Sequence, residues 1–126
     1  MIRRNLFLER LTSIGDQPLV IAHRGDSFFA PENTLDAAIL ARETADAWEL
    51  DVQLTRDGIP VVHHDDSLSR TTDVARRFRD DPRACDGYLV CDFDYKEIAT
   101  LDAGSWFVSD RLIPRSSRDF GTIDRL

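Results

Sequence analysis

Apolar and polar positions follow two different periods along the first half of the chain. Pro18-Leu19-Val20-Ile21-Ala22 is a near-continuous apolar run, the pattern of a strand buried on both faces of a parallel sheet. Gly25 ends it. Pro31-Glu32-Asn33-Thr34 is then a helix-start signal, with Asn33 as the cap and Asp36 placed to return the bond. Leu35, Ala38, Ile39, Arg42 and Ala45 follow at helical spacing and are apolar except for Arg42. Trp48 to Thr55 alternates and predicts a second strand, so the first half is a strand–helix–strand unit.

Asp57-Gly58 between alternating segments is a strong hairpin signal, with Pro60 to His64 as the returning strand. If Asp57 and Gly58 form a two-residue loop, Gln53 faces Val62, Val52 faces His63, and Asp51 faces His64. Alternation then puts Glu49, Asp51, Gln53 and His64 on one face and His63 on the other. A bulge at Pro60 would exchange the two histidines, because a one-residue slip reverses the faces. Asp73 to Asp86 is charged and irregular. It reads as a solvated loop whose acids neutralise its arginines. Asp94-Tyr95-Lys96-Glu97 is a capping-box pattern opening a short helix with Ile98 and Leu101 as its apolar stripe. Three segments result: a charged lead-in over 1–17, one domain over 18–114 and a loose tail over 115–126.

Composition narrows the classes. At 126 residues, 42% hydrophobic and 31% charged, the chain is at most one soluble globular domain. A net charge of -7 argues against a nucleic-acid partner, which would require a basic face. No apolar stretch approaches the ~20 residues of a transmembrane segment, and the N-terminus lacks the apolar core of a signal peptide. The expected location is therefore the cytoplasm. Cys85 and Cys91 read as two reduced thiols, since two cysteines make a poor disulfide framework and lack the partners of a zinc site.

The chemistry-bearing residues gather at predicted strand ends. Glu49 and Asp51 at i and i+2 project two hard oxygen donors from one face, about 7 Å apart along a strand. They suit Mg²⁺ or Ca²⁺ with water and a substrate phosphate completing the shell; taken alone, the pair equally fits a solvated strand face. His23 ends the most apolar strand, with Arg24 and Gly25 offering a cation and permissive backbone to a phosphate. Two histidines flanking a metal-bound phosphate are what acid–base cleavage of a phosphoester needs near neutral pH. Asp65 reads as an orienting or capping residue, and Arg70-Thr71-Thr72 as loop support.

Taken in order, His23-Arg24-Gly25, Pro31-Glu32-Asn33-Thr34, Glu49-x-Asp51-Val52, Thr55-x-Asp57-Gly58, Val61-Val62-His63-His64-Asp65 and Leu68-x-Arg70-Thr71-Thr72 resemble the glycerophosphodiester phosphodiesterase family. Leu101-Asp102-Ala103-Gly104-Ser105-Trp106-Phe107 resembles that family's following segment, so the resemblance covers residues 18–114. It implies an α/β TIM-barrel (β/α)8 hydrolase, here its N-terminal part, that cleaves small-molecule glycerophosphodiesters to glycerol 3-phosphate and an alcohol. It implies that His23 and His64 are the catalytic acid–base pair and that Arg24 binds the substrate phosphate. Glu49 and Asp51 would ligate Ca²⁺ or Mg²⁺, and the family's third acidic ligand lies beyond the end of this chain. In the implied mechanism a neighbouring glycerol hydroxyl attacks phosphorus and water opens the cyclic phosphate. A TIM barrel takes ~250 residues. The alternative reading is therefore an inactive, truncated barrel fragment that persists by pairing an open sheet edge with another chain.

Overall fold

The computed structural model describes residues 18–109; the lead-in over 1–17 and the tail over 115–126 lie outside the described residues. Strand β1 (Ile21–Ala22), helix α1 (Leu35–Thr44) and strand β2 (Ala47–Trp48) form the expected strand–helix–strand unit. β1 and β2 pair in parallel, Ile21 with Ala47 and Ala22 with Trp48. Flanking bonds lengthen the ladder: Asp46 N to Val20 O at 2.9 Å and Glu49 N to Ala22 O at 2.9 Å. The parallel register sends His23-Arg24 and Glu49 out of the same end of the sheet.

Helix α1 starts one residue later than the sequence suggests. Thr34 is the N-cap: its hydroxyl accepts from Ala37 N at 3.3 Å and donates to Pro31 O at 2.7 Å. With the cap taken by Thr34, Asn33 adopts a left-handed backbone, φ +57°. The expected stripe is also reversed. α1 buries Ala37 and Ala41, whereas Leu35 and Ile39 are largely exposed. Small residues let the helix lie close on the sheet, and Gly25 packs directly against Ala37.

The expected second strand is broken. Glu49, Leu50 and Asp51 separate β2 from β3 (Val52–Leu54), which pairs antiparallel with β4 (Pro60–Val62). The register is one residue off the expected one, with Val52 opposite Val62, Gln53 opposite Val61 and Leu54 opposite Pro60. Arg56 N donates to Phe93 O at 2.8 Å, which takes Arg56 out of the hairpin ladder. The loop then holds three residues, closed by Gly58 N to Thr55 O at 2.9 Å with Gly58 at φ +76°. Consequently Asp51 faces His63, whose N–H donates to Asp51 O at 3.0 Å, rather than His64.

The main core lies beyond the hairpin. Val61, Leu68, Val74, Tyr88, Val90, Phe93, Ile98 and Leu101 form one buried cluster under the connections between 63 and 103. The segment expected to be an irregular loop contributes helix α2 (Val74–Arg77) and a 3₁₀ turn, Pro82–Asp86. Three of its four arginines are paired: Arg76 and Arg77 with Asp73, and Arg83 with Asp81 and, outside the segment, with Glu97. The capping box holds as well, Asp94 N donating to Glu97 Oε2 at 2.9 Å at the start of α3 (Tyr95–Ile98). Helix α4 (Ser105–Ser109) follows.

The Val20-Ile21 run is not buried on both faces. Both side chains are more than half exposed, and Leu35, Ile39, Trp48, Val52 and Leu54 are also exposed. Cys85 and Cys91 are free and exposed, and no described helix is long and apolar enough to cross a membrane.

Candidate active site

At the end of β1 the chain turns through two left-handed residues, Arg24 at φ +61° and Gly25 at φ +80°. Arg24 is a long side chain in a region that costs ~1–3 kcal/mol for residues other than glycine, so its surroundings must impose the conformation. They do so through both backbone polar groups. Arg24 N donates to Glu49 Oε2 at 3.1 Å, and Arg24 O accepts from Asn33 N at 3.0 Å. Glu49 Oε2 also lies 4.0 Å from His23 Nε2, and the His23 side chain is 71% exposed.

The Arg24 guanidinium is 16% exposed and sits between two carboxylates. Its Nη1 donates to Glu32 Oε1 at 2.9 Å. Its buried Nε lies 3.2 Å from Asp51 Oδ2, an ion contact whose geometry makes no hydrogen bond. Among the described residues Nη2 donates to nothing. Asp51 is clamped by Asn33, whose Nδ2 donates to Asp51 Oδ2 at 2.9 Å while its Oδ1 accepts from Asp51 N at 3.1 Å.

The two adjacent histidines have separate fates. His63 is 5% exposed, and its Nε2 donates to Ser67 O at 3.1 Å, since a carbonyl only accepts. Burial pushes the His63 ring below the usual histidine range, against the pull of the Ser67 carbonyl and the nearby Asp65 charge. The His64 side chain is 41% exposed, with Nδ1 2.5 Å from Asp65 Oδ1. Asp65 is in turn gripped by Arg70, Nε to Oδ2 at 2.6 Å and Nη2 to Oδ1 at 3.0 Å. No hydrogen bond or ion pair joins His64 to Glu49 or Asp51 among the described residues. The connection runs instead through Asp65, Arg70, Glu32 and Arg24.

Four members of this network were missed or undervalued in the sequence. Glu32, Asn33, Asp65 and Arg70 read there as helix-start, capping or loop-support residues. For Asn33 a signal was present: Thr34 follows it at once, so two adjacent residues compete for one cap and the loser is free for other work. The Arg70–Glu32 pair joins residues 38 apart in sequence and carries no local signature.

Glu49 and Asp51 offer one engaged and one open oxygen each, because Glu49 Oε1 and Asp51 Oδ1 accept no hydrogen bond among the described residues. Among the described residues no group of three or more His, Cys, Asp and Glu side chains could hold a metal ion by itself. Mg²⁺ is commonly held by one or two carboxylates with waters and substrate phosphate completing an octahedron. The open oxygens of Glu49 and Asp51 are the hard donor type such a cation takes. Glu49, but not Asp51, lines a hollow of ≈ 210 Å³ together with Arg24, Asn33, Trp48 and Leu50, among others.

His63 and Glu32 predict a two-stage pH response. A histidine held neutral below its unfolded value of 6.5 lets the unfolded chain bind more protons, so stability falls as pH drops from there toward the folded value. Burial alone would raise the Glu32 carboxyl, but its bonds and charge pairing with Arg70 and Arg24 outweigh this and hold it below its usual value. That contribution is present above about pH 4 and is lost as pH falls through the folded-state value. Urea midpoints measured from about pH 7 to about pH 5 should decline, and His63→Gln should flatten the decline. An unchanged slope in His63→Gln would refute the assignment to His63.

A histidine, an arginine and a carboxylate leave the same end of the two parallel strands of this strand–helix–strand unit, the end at which TIM-barrel enzymes carry their active sites. The Glycerophosphoryl diester phosphodiesterase family model matches residues 23–117, and the chain belongs to that family. It is 50% identical over 90 residues to the glycerophosphodiester phosphodiesterase of Caldanaerobacter subterraneus, covering 71% of this chain and 32% of the relative. Its fold is similar to the crystal structure of glycerophosphodiester phosphodiesterase from Agrobacterium tumefaciens (38% identity, TM-score 0.66, covering 87% of this chain and 40% of that one). It is likewise similar to an Oleispira antarctica phosphodiesterase in complex with the product sn-glycerol-3-phosphate (41% identity, TM-score 0.65, covering 86% and 37%). The chain spans at most about a third of the length of the curated relatives it matches, and its fold is a partial TIM barrel.

Proposed function

We propose that these residues carry metal-assisted hydrolysis of glycerophosphodiesters to glycerol 3-phosphate and an alcohol. The observation that carries the reading is the continuous charged network at one end of the sheet. It holds His23, Arg24, Glu49 and Asp51 together at one extremity and His64 at the other. The relatives named above, one of them holding sn-glycerol-3-phosphate, support the substrate class.

Glu49 and Asp51 would hold Ca²⁺ or Mg²⁺, which supplies charge neutralisation on the non-bridging phosphate oxygens. Arg24 Nη2 binds the same phosphate while Glu32 and Asp51 fix the guanidinium plane. Of His23 and His64, one withdraws the proton from the attacking glycerol hydroxyl and the other protonates the departing alcohol, and the same pair serves the water that opens the cyclic phosphate. His63 takes no part, because both its burial and its bond to Ser67 O keep it in the core.

The test is glycerophosphocholine hydrolysis by the purified full chain, read as release of glycerol 3-phosphate, together with thermal melting in Mg²⁺, in Ca²⁺ and after chelation. One of the ions should raise the melting temperature, by up to ~3 kcal/mol of stabilisation at a hundredfold excess over its Kd. Glu49→Gln and Asp51→Asn should remove both the shift and the turnover. A folded wild-type chain without turnover or metal response would overturn the proposal. It would favour the second reading, an inactive partial barrel held by another chain, which the exposed apolar side chains of Ile21, Leu35, Trp48 and Leu54 support.

A further inference from the structure

We propose that Arg70 is a positioning residue that fixes the tautomer of His64 by gripping Asp65 and Glu32 at the same time. Its part in turnover rests on the phosphodiesterase reading above; its effect on the ring does not.

The guanidinium makes two forked contacts. Toward Asp65, Nε reaches Oδ2 at 2.6 Å and Nη2 reaches Oδ1 at 3.0 Å. Toward Glu32, Nη1 reaches Oε2 at 3.0 Å and Nη2 reaches Oε1 at 2.7 Å. A planar fork with five donors can hold two carboxylates in fixed planes, which a lysine ammonium cannot. Glu32 cannot follow Arg70 freely, since its Oε1 also takes Arg24 Nη1 at 2.9 Å and its side chain is 14% exposed. Arg70 is therefore anchored on the Arg24 arm and presents Asp65 to His64 in one orientation.

That orientation decides where the imidazole proton sits. The hydrogen bonds from Arg70 hold Asp65 ionised well below the usual carboxylate range, against the opposing effect of partial burial. An ionised carboxylate only accepts. The 2.5 Å contact between His64 Nδ1 and Asp65 Oδ1 must then carry its hydrogen on Nδ1. In the neutral ring this leaves Nε2 as a lone-pair acceptor, facing away from Asp65 and available to a substrate hydroxyl or water. His63, one residue earlier, holds the opposite tautomer, with Nε2–H on Ser67 O. The two neighbouring rings thus serve as each other's control.

The experiment is long-range proton–nitrogen correlation on the full chain with ¹⁵N-labelled histidine, at a pH where the imidazoles are neutral. Wild type should show His64 protonated at Nδ1 and His63 at Nε2. Arg70→Gln should move His64 to a mixture dominated by Nε2–H and leave His63 unchanged. Arg70→Lys should restore little, because it keeps the charge and loses the fork. Glu32→Gln, which keeps an amide in place but releases the anchor, should give an intermediate shift, and serves if Arg70→Gln fails to fold. In an active chain Arg70→Gln should lower kcat by roughly 10–100-fold, the scale for residues that orient a functional ligand, with KM changed far less. His64 retaining Nδ1–H in folded Arg70→Gln, or showing Nε2–H in wild type, would overturn the proposal. Absence of hydrolysis by wild type counts against the phosphodiesterase reading alone, because the tautomer is read without turnover.

Discussion

His64→Ala is expected to lower glycerophosphodiester hydrolysis by roughly 10²–10⁴-fold, the range for loss of a positioned acid–base group, with little change in melting temperature. His63→Ala is expected to do the reverse. The His64 ring is 41% exposed and its bond to Asp65 is made at the surface, so its removal leaves no core cavity and Asp65 still has both bonds from Arg70. The His63 ring is buried, donates to Ser67 O and follows directly on strand β4, which holds the core residue Val61. Truncating it opens a void and orphans a carbonyl, at a cost of roughly 2–4 kcal/mol. The informative measurement is the pair of variants side by side, kcat/KM against urea midpoint. Equal loss of activity in both with equal loss of stability would mean that the adjacent histidines act only through the fold. Activity unaffected by His64→Ala would remove it from the acid–base pair.

The two-residue hairpin that pairs His64 with Asp51 is not the one the chain forms. The hairpin is one residue out of the expected register because Arg56 leaves the ladder for Phe93 O, a contact 37 residues away that no local pattern announces. Corrected pairing puts His63, not His64, opposite Asp51. What separates the two rings is their later company: Ser67 and the core for one, Asp65 and Arg70 for the other. Elements governed by near neighbours were legible. The strand–helix–strand order follows from period changes, and the box at Asp94 and Glu97 from a four-residue pattern. The break between β2 and β3 was not legible, because it arises when the chain exchanges partners. Glu49 N still bonds Ala22 of the parallel pair, whereas Asp51 is already held by Asn33 and His63. Alternation of side chains continues through that exchange and hides it. The same limit applied to Glu32 and Arg70, whose charges are visible in the sequence and whose meeting is not. It applied in reverse to the apolar run at Val20-Ile21. Its composition predicts burial from both sides, and Val20 and Ile21, which point to opposite faces, are both more than half exposed.

Gly25→Ala is the substitution expected to damage the molecule most. Gly25 sits at φ +80°, where a side chain costs ~1–3 kcal/mol in backbone strain. A Cβ built there would lie 2.7 Å from both the carbonyl carbon and the Cβ of Ala37, and 2.9 Å from Ala37 O. None of these atoms is the end of a flexible side chain. Ala37 is fully buried in the first turn of α1, and its carbonyl already accepts Asp26 N at 2.8 Å. Relief therefore requires α1 to move off the sheet, an overpacking penalty of ~1–3 kcal/mol. The two effects together come to ~2–6 kcal/mol against a total stability of ~5–15 kcal/mol for an ordinary domain. Gly58→Ala separates them. Gly58 has φ +76° but nothing within 4 Å of its missing Cβ, so it should show the strain without the clash. Urea unfolding of both variants should place Gly25→Ala lower by the overpacking difference, and equal midpoints would show that α1 gives way freely. Activity should fall further than stability alone predicts. Displacing Gly25 drags Arg24, whose backbone N–H is the group that fixes Glu49 beside His23.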